Sequence, residues 1–205
     1  MNSLIQKYPT LKSCENEINL AVNKIISAYK NNKKLLVCGN GGSASDAEHI
    51  VGELMKGFIS KRPLADDEKQ KLIAADNEKG KILANLLQKP LRAISLVTSV
   101  SLATAFANDV AAELIFAQQV YGLGDEGDIF LGISTSGNAE NVALAVVAAK
   151  AKGIFTIGLT GKNGGKLKNL CDLAIVVPSD CTPDIQELHL PIYHYICKTV
   201  EQQLF

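Results

Sequence analysis

The stretch LLVCGNGGSASDAEHIVGEL, Leu35 to Leu54, decides the fold. An apolar run of strand type ends in Gly39, Gly41 and Gly42, and the chain then continues into a helix. Glycines at such a turn let backbone amides approach a ligand closely, and Ser43 is placed to cap the helix that follows. The spacing completes neither G-x-x-x-x-G-K-[ST] nor G-x-G-x-x-G, so the turn reads either as a simple tight turn or as an anion loop outside the two standard nucleotide motifs. His49 and Glu53, at i and i+4, share one helix face. That spacing suits joint metal ligation, a base beside a polar partner, or a helix-stabilising surface contact.

Working outward, four more short apolar runs resemble the first one, KLLVCG at 34–39: AISLVT at 93–98, DIFLGIS at 128–134, IFTIGL at 154–159 and LAIVVP at 173–178. Near-continuous apolar strands separated by helix-length segments indicate a parallel sheet covered on both faces, since a half-exposed sheet shows alternation instead. The predicted fold class is α/β, a doubly wound parallel sheet, in one domain over 1–205. Ahead of it, Ile18, Ala21, Val22, Ile25, Ile26 and Tyr29 recur at three- and four-residue spacing and predict an N-terminal amphipathic helix within about 1–31. The charged segment 59–91 breaks the rhythm. It reads as a helical insertion, either a solvated face or a cover for the site or a subunit contact.

In doubly wound sheets the ligand crevice lies beyond the carboxyl ends of the strands. STSGNAEN, 134–141, offers Ser134, Thr135, Ser136 and Gly137 ahead of a helix, a donor cluster suited to one phosphate. TGKNGG, 160–165, reads as a turn that starts the next helix. The C-terminal segment DIQELHLPIYHYICKTVEQQLF carries Gln186, Glu187, His189 and His194 in an apolar helix. On an ideal helix the two histidines stand about 140° apart, so only one is expected to face a given site, and spacing alone does not choose.

Twenty-one basic residues balance twenty-one acidic ones, which gives no overall field for nucleic acid or an anionic membrane. Five scattered cysteines without a CxxC pair read as buried thiols of a cytoplasmic protein. No apolar run approaches the roughly 18 residues that span a bilayer, and the N-terminus lacks a signal pattern.

Taken together, CGNGGSASDAEHIVGEL, AFANDV, LGISTSGNAENV, TGKNGGKL and IQELHLPIYH resemble the phosphoheptose isomerases of the sugar isomerase (SIS) class, in order and spacing over most of the chain. The resemblance implies a flavodoxin-like five-stranded sheet, a homotetramer with sites at subunit interfaces, and one zinc ion per subunit. It implies that Asn40, Gly41, Gly42 and Ser43 form the substrate loop, that Asn108 and Asp109 contact the sugar, and that Ser134, Thr135 and Ser136 cradle the phosphate. It assigns His49, Glu53, Gln186 and His194 to the metal, Glu53 and Gln186 also to substrate, and Glu53 and His194 to catalysis. The implied reaction interconverts sedoheptulose 7-phosphate and D-glycero-D-manno-heptose 7-phosphate for heptose and glycan precursors.

Two departures stand out. Ala139 replaces the last serine of the family's STSGNS, and the insertion before LRAISLV is long. Alternatives carried beside the isomerase are a non-catalytic protein of the type that associates with the replication initiator DnaA, which generally lacks the glutamate and second histidine, and an isomerase or sensor of another sugar phosphate. A nucleotide enzyme fits least, for want of a completed phosphate-loop fingerprint.

Overall fold

The computed structural model describes residues 2–205; Met1, where the expected N-terminal helix begins, lies outside the described residues. That helix is divided. A short α1 (Asn2–Lys7) gives way at Pro9, whose nitrogen carries no proton for a helix ladder, to a 3-10 turn (Pro9–Cys14) and then to α2 (Glu15–Lys30). Next come β1 (Leu35–Gly39), α3 (Gly42–Met55), α4 (Asp66–Ala75), α5 (Asn77–Leu86), β2 (Ala93–Ser95), α6 (Val100–Phe106), α7 (Ile115–Leu123), β3 (Ile129–Ser134), α8 (Glu140–Ala151), β4 (Phe155–Thr160), α9 (Gly165–Leu170), β5 (Leu173–Val176) and α10 (Thr182–Leu204).

All five strands are parallel, in the order β2-β1-β3-β4-β5. Side chains alternate across the sheet, and both sides are covered, as the apolar runs require. Leu35 and Val37 face a core built with Ile18, Val22 and Ile25 of α2, Ile50 and Leu54 of α3, and Ile192 and Val200 of α10. Leu36 and Cys38 face Phe116 and Val120 of α7, Val142 and Val146 of α8, and Leu167 of α9. The expected strand at 93–98 stops at Ser95, where the Thr98 hydroxyl donates to the Ser95 carbonyl at 3.1 Å and turns the chain.

The insertion holds two helices. Asp76 caps α5 by accepting from the backbone of Glu78 and Lys79 at 3.0 and 2.7 Å. No residue of α4 is buried, and Ile82, Leu83, Leu86 and Leu87 stay exposed.

Two expectations need correction. Val100–Leu123 is long and apolar enough, by length and composition, to cross a membrane. Asn108, Asp109 and Glu113 interrupt its apolar letters, yet helical winding leaves Val100, Leu102 and Val110 on an exposed surface. It is not one helix: a π-turn (Ala107–Ala111) and a 3-10 turn (Ala112–Leu114) separate α6 from α7. Among the cysteines, Cys14, Cys38, Cys171 and Cys197 are buried, but Cys181 is exposed, because it lies in the loop that precedes α10.

Arg62 and Glu201 have fully buried side chains and form an ion pair at 2.7 Å. Glu201 also accepts from the amides of Phe58 and Ile59 at 2.8 Å each and of Ser60 at 3.1 Å. Arg62 donates to the carbonyl oxygens of Leu54 at 2.7 Å and Glu53 at 3.4 Å, which α3 leaves without helical partners at its C-terminus. Burial favours the neutral acid, but these amides and the guanidinium outweigh it and hold Glu201 below the usual glutamate range. The resulting stabilisation is complete above the ordinary glutamate value near 4.3 and is lost as pH falls through the lower folded value. Glu201→Gln is expected to cost about 3–5 kcal/mol in urea unfolding, by leaving Arg62 buried without its counter-charge, and to flatten that part of the acid limb; a loss under about 1 kcal/mol contradicts the assignment.

Candidate active site

The strand order reverses between β1 and β3, and the loops that leave these two strands carry the predicted residues. The β1 loop enters α3 through Gly41 as N-cap; no side chain caps the helix, and Ser43, expected as the cap, is buried within its first turn. The amide of Gln186 packs directly on the loop at Gly42: a Cβ there would lie 2.3 Å from Gln186 Nε2, so any side chain at 42 displaces that amide. Asn40 reaches across the crevice. Its amide donates to Asn141 Oδ1 at 2.9 Å and accepts from Asn141 Nδ2 at 3.0 Å, tying the β1 loop to the first turn of α8.

On the β3 side, Ser134 is buried at the end of its strand, and Thr135 and Ser136 are half-buried in the turn that follows. Gly137 has φ +67, and a Cβ there would meet the Gly164 carbonyl oxygen at 2.0 Å, so the loops at 134–141 and 160–165 pack backbone to backbone. The Gly137 amide donates to the Ser134 carbonyl at 3.0 Å, and Ser136 Oγ accepts from the Asn138 amide at 3.2 Å. The hydroxyl cluster therefore lies ahead of α8 rather than on its first turn. The N-cap is Ala139, which provides no side-chain cap.

Farther along α3, His49 and Glu53 meet: His49 Nε2 lies 3.2 Å from Glu53 Oε1. The same nitrogen is 3.5 Å from Nε2 of His194 on α10, with the two rings edge to face. His189 is the other histidine's opposite, completely buried with neither ring nitrogen hydrogen-bonded among the described residues, and desolvation lowers its pKa to about 4. The structure thus turns His194 to the His49–Glu53 pair and His189 to the core. Beside His194, Tyr8, Phe58, Ile59, Pro191 and Lys198 line an open cleft.

Glu53 Oε2 is held by Lys56 Nζ at 2.8 Å. Burial would raise this carboxyl's pKa, but the hydrogen bond and charge of Lys56, with His49, outweigh it and keep Glu53 below the usual range. Desolvation and the neighbouring His49 lower that of His194, against the opposing pull of Glu53. An ionised carboxylate beside a neutral imidazole is the pairing that moves a proton from carbon while an N–H serves an oxygen.

Among the described residues, no hydrogen bond joins Gln186, Asn108 or Asp109 to this cluster. Gln186, two turns before His194 on α10, packs at Gly42 with no hydrogen bond to His49, Glu53 or His194. Asn108 and Asp109 are exposed on the π-turn and bond each other at 2.8 Å. Among the described residues no three His, Cys, Asp or Glu side chains form a ready metal group. The donor types and the two measured spacings nonetheless suit a zinc ion, whose tetrahedral ligand atoms, about 2.0–2.1 Å from the metal, lie about 3.3 Å apart. Sequence reasoning missed Asp46, which lies three residues before His49 and shares its helix face, and Lys56, the residue just past the end of α3. It also missed Tyr193 and Asn141, whose partners, more than a hundred residues away, leave no local signal.

Comparison with known proteins agrees with this fold. Models of the SIS domain match residues 5–82 and 95–190, and the single sheet draws β1 from the first segment and the other four strands from the second or its edge. Phosphoheptose isomerase 2 of Campylobacter jejuni is 42% identical over 100% of this chain and 90% of its own, and the phosphoheptose isomerase of Clostridium acetobutylicum is 43% identical over 92% and 83%. The solved phosphoheptose isomerases of Francisella tularensis and Neisseria gonorrhoeae are 35% and 31% identical, with TM-scores of 0.79 and 0.77, each over 98% of this chain and 94% of the other. The chain belongs to the phosphoheptose isomerase family.

Proposed function

We propose that this protein interconverts sedoheptulose 7-phosphate and D-glycero-D-manno-heptose 7-phosphate through an enediol, supplying heptose for glycan precursors. The observation that carries the reading is the meeting of Glu53 and His194 at His49, on the helix that leads out of the glycine-rich β1 loop. In the ketose-to-aldose direction, the Glu53 carboxylate takes a proton from C1 and returns it to C2, while His194 gives its N–H proton to the C2 oxygen and recovers one from the C1 hydroxyl. Lys56 keeps Glu53 ionised for the first step. Ser134, Thr135, Ser136 and nearby amides bind the phosphate, Asn40 to Ser43 and Gln186 the sugar end, and Asn108 and Asp109 further hydroxyls. Retention of both Glu53 and His194 favours an enzyme over a non-catalytic relative.

In the same reading His49, Glu53, Gln186 and His194 hold one zinc ion. Bound there, zinc polarises the carbonyl and hydroxyl oxygens of the substrate. Glu53 has an oxygen for each task, Oε1 toward His49 and Oε2 toward Lys56. The exposed apolar surface of Val100, Leu102 and Val110 supports subunit contact in a homotetramer better than contact with lipid, since Asn108, Asp109 and Glu113 share the segment. Five unpaired cysteines fit the reducing cytoplasm, and the balanced charge gives no reason to expect nucleic acid as a partner.

Glu53→Gln is expected to lower turnover of sedoheptulose 7-phosphate by about 10²–10⁴-fold while sugar-phosphate binding, followed by calorimetry, survives; unchanged turnover contradicts the assignment. Ala139→Ser restores both a helix cap and a donor. It is expected to add about 1 kcal/mol of stability and to lower KM about tenfold; an unchanged KM with the stability gain present removes position 139 from the phosphate site.

A further inference from the structure

Behind His49 stand two side chains that, among the described residues, make no hydrogen bond to the crevice loops or to Glu53. Tyr193, 2% exposed on α10, has its hydroxyl 3.0 Å from His49 Nδ1 and 3.3 Å from Asp46 Oδ1. Asp46 lies one turn before His49 on α3, and its Oδ2 is buried with no partner among the described residues. The three groups form one chain, Asp46–Tyr193–His49, and its far end, His49 Nε2, is the atom that faces Glu53 and His194.

With Asp46 ionised, proton counting fixes the direction of that chain. A phenol has one proton to donate and an ionised carboxylate has none. Tyr193 therefore donates to Asp46, and its oxygen is left to accept from His49 Nδ1–H. A neutral imidazole with its proton on Nδ1 carries a lone pair on Nε2. We propose that Asp46 and Tyr193 are positioning residues that hold His49 in the Nδ1–H tautomer, so that Nε2 offers a lone pair to the space shared with Glu53 and His194.

The consequence is electrostatic. A lone pair 3.2 Å from a carboxylate oxygen and 3.5 Å from a second imidazole nitrogen is an arrangement that a cation relieves. The opposite proton order, with a protonated Asp46 donating to Tyr193 and Tyr193 to Nδ1, puts the proton on Nε2 instead, where it bonds Glu53 and blocks a metal. Outer-shell partners of this kind fix the ring nitrogen that is free to ligate, and their loss typically costs 10–100-fold in metal affinity. This step toward metal rests on the zinc reading above; the tautomer itself does not.

The test reads the two separately. In metal-free protein labelled with 15N-histidine, long-range proton–nitrogen correlation near pH 8 distinguishes the tautomers, and the His49 signals are those lost in His49→Gln. The expected wild-type pattern is Nδ1–H with an unprotonated Nε2; Nε2–H in the wild type overturns the proposal. Tyr193→Phe, which removes the acceptor and keeps the ring, is expected to move His49 toward Nε2–H and to weaken zinc binding, measured against a chromophoric chelator, about 10–100-fold. An unchanged tautomer in a folded Tyr193→Phe protein also overturns it, and if that variant does not fold the wild-type spectrum decides alone. A changed tautomer in a protein whose wild type binds no zinc keeps the positioning role and removes the zinc reading instead.

Discussion

The order β2-β1-β3-β4-β5 is the constraint from which the site follows. Because β1 and β3 are neighbours and the chain leaves them toward opposite faces, α3 packs on one side of the sheet and α8 on the other. The two loops diverge, and a crevice opens between them at the carboxyl ends of the strands. Glycines at 41 and 42 bring the backbone close on one side, and hydroxyls at 134–136 line the other. The reciprocal amide pair of Asn40 and Asn141 spans the gap, so the crevice has a fixed width without a covalent link.

The proposed chemistry needs more than a crevice, because Glu53 lies near the far end of α3, where helices fray and carbonyls lack partners. Arg62 takes up two of those carbonyls, and Glu201 of α10 neutralises Arg62 while gathering three amides of the intervening loop. One buried ion pair thus joins α3, its exit loop and α10, the two helices that bring Glu53 and His194 together. The pair is affordable because nearly every polar group in it is bonded.

Periodicity and turn chemistry made the sheet, its parallel sense and the crevice legible in the sequence, since these are local signals repeated five times. His49 and Glu53 were legible as a pair because helical spacing is itself local, but their importance was not: the same spacing occurs on any solvated helix. Spacing alone left His189 and His194 open; the resemblance chose His194, and the packing of α10, which turns His189 into the core, supplies the physical reason. Tyr193, Arg62 and Glu201 act through contacts across about 140 positions, which no window of sequence contains. The capping role expected of Ser43 failed for a physical reason: the helix begins one residue earlier, at Gly42, so Ser43 falls inside the first turn.

The account holds that Glu53 carries a proton between two carbons of a sugar phosphate bound in this crevice. Sedoheptulose 7-phosphate incubated with the protein in deuterium oxide, with and without chelator, and followed by NMR, tests this most directly. The account predicts that the aldose 7-phosphate appears and that solvent deuterium enters at C2 in at least part of the product. Absence of any aldose, from folded protein supplied with zinc, contradicts it.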